Sequence, residues 1–110
     1  ICTDPALSHV YLDLSWDETA KYVTAAPETV ARSAAMIERF PKRFLFGSDV
    51  VAPSSVEAIT DVYDAYAPLW EALSPKTREL VLKGNYERIF DQARERVRAW
   101  ENANVQKTGD

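Results

Sequence analysis

Cysteine is nearly missing from this chain, and Cys2 stands alone. A single cysteine excludes an intrachain disulfide and makes a reducing cytoplasm the default compartment, with Cys2 itself a structural or exposed residue. Long apolar runs are missing too. None approaches the roughly 20 residues needed to cross a bilayer, and no signal-peptide pattern opens the chain. Positive charge is neither abundant nor clustered: 13 Lys and Arg lie interspersed among 17 Asp and Glu, for a net charge of −4. That argues against nucleic acid or an anionic membrane as a partner, since both draw on grouped Lys and Arg. No segment recurs, so the 110 residues amount to one small domain of ordinary globular composition. The chain opens on Ile1 rather than Met and runs directly into Thr3-Asp4-Pro5, which suggests that something precedes it.

What is present is a pattern of short strands and longer helices. Residues 10–15, VYLDLS, alternate, with Val10, Leu12 and Leu14 on one face and Tyr11, Asp13 and Ser15 on the other. Pro27 suits the first turn of a helix whose stripe is Val30, Ala34, Ile37 and Phe40, and Pro41 ends it. Residues 43–48 read as a second strand, with Phe44 and Phe46 on one face and Leu45, Gly47 and Asp49 on the other. Ser54 to Glu57 then form a capping box ahead of a helix whose buried side is Val56, Ile59, Val62, Tyr63, Tyr66 and Leu69. Pro68 should kink or break that helix. Ser74-Pro75 opens a short helix carrying Leu80 and Val81, Gly84 should close it in a left-handed cap, and Asn85 should cap the next. The last helix presents Tyr86, Ile89, Phe90, Ala93, Val97 and Trp100 at spacings of three and four, on an otherwise charged surface.

The two strands begin about 33 residues apart, the period of a strand–helix crossover, so they should pair in parallel. Two parallel strands are too few to stand alone, because such sheets bury both faces and open edges recruit other strands. Either the strands pair with a second copy of the chain, or they belong to a larger sheet. Attention then falls on Arg43-Phe44-Leu45-Phe46-Gly47-Ser48-Asp49, an apolar strand that stops abruptly at an acid. Asp49 reads either as a local turn cap or as a carboxylate held at the mouth of a sheet beside a metal or substrate.

Three stretches in order carry a resemblance to the end of the amidohydrolase superfamily, in its branch of small metal-dependent hydrolases and decarboxylases. SHVYLDLSW resembles the seventh barrel strand, KRFLFGSDVVAP the eighth with its terminal Gly-Ser-Asp, and LSPKTRELVLKGNYERIF the closing helices around a Gly-Asn junction. The resemblance implies an α/β fold: the C-terminal units of a (β/α)8 TIM barrel, two parallel strands plus helices, incomplete in this chain. Residues 1–104 would form the partial barrel and 105–110 a disordered tail. The site of such a barrel lies at the C-terminal ends of its strands.

It further implies that Asp49 ends the last strand as metal ligand and catalytic carboxylate, able to orient a metal-bound water and take its proton. Ser15, Trp16 and Ser48 become candidates for contact with substrate or for support of the site, and Asp13 a polar residue facing the barrel interior. The implied cofactor is a divalent metal, zinc by preference, in the intact parent. The family's site also uses an early His-x-His pair and later single histidines. Here His9 is alone and precedes the first strand, at the opposite end. One carboxylate cannot make a zinc site of three or four ligands, so no metal is expected in the isolated chain, which should be inactive. The expected partners are a small-molecule substrate and the missing barrel strands. The alternative is a non-catalytic, self-associating module descended from the barrel, or a decarboxylase as parent.

Overall fold

The computed structural model describes residues 1–105. Strands β1 (Leu12–Ser15) and β2 (Phe44–Gly47) pair in parallel, Leu12 opposite Phe44 and Ser15 opposite Gly47. Both are shorter than the sequence suggests. The Val10 carbonyl accepts from Arg43 Nε at 2.8 Å and the Leu7 carbonyl from Arg43 Nη2 at 2.6 Å, so the first residues are bound by a side chain before the ladder begins.

Between the strands run α1 (Asp17–Val23) and α2 (Pro27–Arg39), the crossover that parallel pairing requires. After β2 come α3 (Glu57–Ala65), α4 (Ala67–Ala72) and α5 (Pro75–Glu79). From α5 the chain winds through two π-turns, Leu80–Gly84 and Glu87–Asp91, into α6 (Gln92–Asn104). No helix among the described residues is long and apolar enough to cross a membrane.

Strand periodicity decides what each face meets. Leu14 and Phe44 are buried, and Leu12 and Phe46 pack beside them, against Ala34 and Ile37 of α2, Val62 of α3, Leu69 and Trp70 of α4, and Val81. The opposite face, carrying Asp13 and Ser15 across from Leu45 and Gly47, holds no buried residue: Asp13 is exposed and the other three are only half-buried. The radius of gyration, 17.6 Å, exceeds the ~13 Å of a compact domain this size. The fold is open on one side of its sheet.

Local signals fared unevenly. Ser74 caps α5 as expected, its Oγ accepting from the Thr77 amide at 3.3 Å, and the helix before Pro68 breaks at Tyr66. Three expectations need correction. Ser54 does not cap α3: the N-cap position is Val56, which makes no side-chain cap, and Ser55 Oγ just ahead of it accepts from the Ala58 amide at 3.4 Å. The helix therefore starts later, leaving Val56 72%, Ile59 40% and Tyr63 39% exposed, while Val62, Tyr66 and Leu69 stay buried. Gly84 does not terminate its helix, and no described glycine has positive φ. The reason is Asn85, which is no cap: it is fully buried in helical backbone, and its Nδ2 donates to the carbonyls of Pro41 (2.7 Å) and Phe44 (2.9 Å), carrying the helix past the glycine. Finally, α6 buries no residue, and Tyr86, Phe90, Val97 and Trp100 are exposed rather than packed. Of the expected tail at 105–110, residues 106–110 lie outside the described residues.

Candidate active site at the strand ends

The two ends of the sheet are built differently. At the N-terminal end, Arg43 holds the approach to β1, Asn85 holds Pro41 and Phe44, and Arg88 Nη2 donates to the Lys42 carbonyl at 3.1 Å. His9 lies exposed at this tied end. At the C-terminal end the chain leaves each strand in unusual backbone. Trp16, next after β1, has φ 74°, and Asp49, two residues after β2, has φ 50°, with Ala52 at 52° further along the same loop. Residues other than glycine in this region cost on the order of 1–3 kcal/mol each and persist only where surroundings over-determine them.

For Trp16 the surroundings include Tyr66. This fully buried residue at the α3–α4 junction places its hydroxyl 3.0 Å from the Trp16 carbonyl and 3.2 Å from that of Ser15. Burial pushes the phenol pKa up, aided by the Asp13 and Asp17 charges and opposed by a hydrogen bond with Thr19, so the hydroxyl stays a donor at neutral pH. Three residues before Asp49, inside β2, the Phe46 ring meets Tyr66 and Trp70 edge-on at 5.4 and 5.1 Å. Trp70 is itself pinned by Nε1 donating to the Tyr63 carbonyl at 2.9 Å. One aromatic group thus joins the exit of β1 to the body of β2.

These exits border a groove of about 670 Å³ between α1 and α3, within the range of small-molecule sites. Its wall brings together Trp16, Asp17, Lys21, Asp49, Val50 and Asp61. The Trp16 side chain stands 52% exposed at the rim. Ser15 and Ser48 do not line it; Ser15 Oγ donates instead to Asp13 Oδ1 at 2.6 Å on the uncovered face. Lys21, whose pKa is raised mainly by its hydrogen bond with Glu18, and Asp61 were not singled out from the sequence. Asp17 opens α1 and Lys21 follows it by four, which puts both on one helix face. That Asp61 of α3 meets them depends on how two helices pack, which no local pattern announces.

A metal bound here would need several converging donors. Among the described residues no three of His, Cys, Asp and Glu come together to hold one. Asp49 is exposed at the groove wall. By itself this donor set does not fit a zinc site.

Residues 6–92 match the family model described as amidohydrolase, and the chain belongs to that family. No curated protein and no solved structure matches it. The matched segment spans both strands, the groove and the buried Asn85, and stops at the start of α6.

Proposed function

We propose that the chain supplies the last two strand–helix units of an amidohydrolase-type (β/α)8 barrel that hydrolyses a small molecule in the cytoplasm, with Asp49 as a carboxylate of its active site. The contrast between the two sheet ends carries this reading. A barrel of this kind is secured at the N-terminal ends of its strands and does chemistry at the C-terminal ends. Here Arg43, Asn85 and Arg88 tie the first end, while strained backbone and a groove mark the second. The uncovered face with Asp13 and Ser15 is then barrel interior, and both unpaired strand edges receive neighbours.

Within that assembly the Asp49 carboxylate stands at the groove wall just beyond β2, and its role is to accept a proton from the attacking water. Trp16 forms an aromatic wall beside it. The family's divalent metal, zinc by its usual ligands, is assigned to the complete barrel, because this chain offers it one carboxylate. Two observations test the proposal. The gene's sequence upstream should encode a His-x-His following a strand pattern, and its full product should hold zinc stoichiometrically while the 110-residue chain does not. No such histidine pair upstream, or a full zinc equivalent in the 110-residue chain, would overturn it.

A further inference from the structure

Trp16 is the wrong residue for its place by two local rules. As the N-cap of α1 it makes no side-chain cap hydrogen bond, in a position that Ser, Thr, Asp, Asn or Gly would fill better. Its backbone, at φ 74° and ψ 143°, lies close to a region that glycine almost alone occupies. Glycine would meet both demands, yet the chain places tryptophan there. Core burial does not account for the choice, because Trp16 is 52% exposed and stands in the wall of the groove. Local rules broken without a packing gain mark functional positions.

The support for this conformation comes from far along the chain. Pro68 breaks the helix at Tyr66 and leaves that residue wholly buried at the α3–α4 junction. The Tyr66 ring is stacked on Trp70 at 5.3 Å and met edge-on by Phe46. From there the hydroxyl reaches back 50 residues and shares its one proton between the Trp16 and Ser15 carbonyls. The Trp16 carbonyl also accepts from the Ala20 amide at 3.3 Å, so two donors fix the peptide that follows Trp16.

We infer that Tyr66 is a positioning residue: by holding the Trp16 backbone it keeps the indole at the groove rim as a stacking face for a substrate with a planar ring. That role rests on the groove being the substrate site of the proposed hydrolase. An exposed aromatic face favours a flat partner, and Ala20, Val50 and Ala58 add apolar wall around it. Tyr66 makes no contact with Asp49, so it serves binding rather than the chemical step.

Two measurements test this, one of them independent of activity. In the 110-residue chain, Trp16→Gly should unfold at a urea midpoint roughly 0.5 M above Trp16→Ala, since only glycine takes the held conformation without strain. Adding Tyr66→Phe to each should close much of that gap, and the cycle cancels the unfolded-state difference between glycine and alanine. A gap absent with Tyr66 intact, or unchanged by Tyr66→Phe, would overturn the inference. In the gene's full product, on a ring-bearing substrate found by hydrolase screening, Trp16→Gly should raise KM by about tenfold and Tyr66→Phe by about threefold. The pair together should be no worse than Trp16→Gly alone, and all three should keep kcat within about twofold of wild type. A fall in kcat at unchanged KM, or additive effects of the two, would contradict positioning through Trp16. Hydrolysis only of substrates without a ring would contradict the substrate class. Full turnover by Asp49→Asn beside these KM effects would instead remove the proposed chemistry and leave Tyr66 in its role.

Discussion

Gly47 lies opposite Ser15 in the last rung of the parallel pair, and a Cβ on residue 47 would sit 3.0 Å from Ser15 Oγ. That separation is inside normal contact for a carbon and a hydroxyl that already donates to Asp13. Glycine here is a matter of space in the last rung of the ladder, where the two strand exits approach one another.

The first prediction concerns that contact. Gly47→Ala should push the Ser15 hydroxyl off Asp13, and removing the hydroxyl should remove the conflict. A double-mutant cycle of Gly47→Ala with Ser15→Ala, read by urea unfolding, should give a favourable coupling of about 0.5–1.5 kcal/mol. Simple additivity would mean the two residues do not press on each other.

A second prediction concerns acid. Glu38, near the end of α2, accepts from the Ser74 amide at 2.6 Å, from Ser74 Oγ at 3.3 Å and from Thr77 Oγ1 at 2.7 Å. The Thr77 hydroxyl first, and then the Ser74 amide, hold its carboxyl below the ordinary 4.5. A depressed pKa means the folded state binds this proton less readily than the unfolded state. The stabilisation is therefore complete above the ordinary carboxylate value and fades as pH falls through the lower, folded one. Urea midpoints from pH 7 down to pH 3 should show wild type losing its advantage over Glu38→Gln toward the acid end. A constant difference across that range would contradict the assignment.

Asn85 supplies the third. Its amide donates to the carbonyl of Pro41, just before β2, and to that of Phe44, the first residue of β2, and it is wholly buried. Asn85→Ala should leave both acceptors without this partner and cost roughly 2–3 kcal/mol by thermal or urea unfolding. An effect within a few tenths of a kcal/mol would mean the carbonyls find other donors.

What the sequence revealed follows the range of the forces involved. Alternation in Leu12–Ser15 and Phe44–Gly47, and the prolines at 27, 41, 68 and 75, act within a few residues, and they located the strands and most helix limits. Gly84 and Asn85 misled for the same reason. Their local preference is to stop one helix and start another, and it lost to two hydrogen bonds made more than 40 residues away. In the site, the Gly-Ser-Asp strand end drew attention to Asp49, and Trp16 followed from its place after β1. Lys21 and Asp61 did not, because their meeting depends on how α1 packs against α3. The exposed face of α6 reads in sequence like any core stripe, and only coordinates reveal that nothing in the described chain buries it.

The most direct test of the account is the turnover of Asp49→Asn in the gene's full product, on a small-molecule substrate found by hydrolase screening. Asp49 is exposed and lies outside the strand ladder, so the variant should melt within about 1 kcal/mol of wild type. Its kcat should fall by at least about a hundredfold, the scale of a lost proton acceptor. A folded Asp49→Asn enzyme turning over at the wild-type rate would remove that carboxylate from the chemistry.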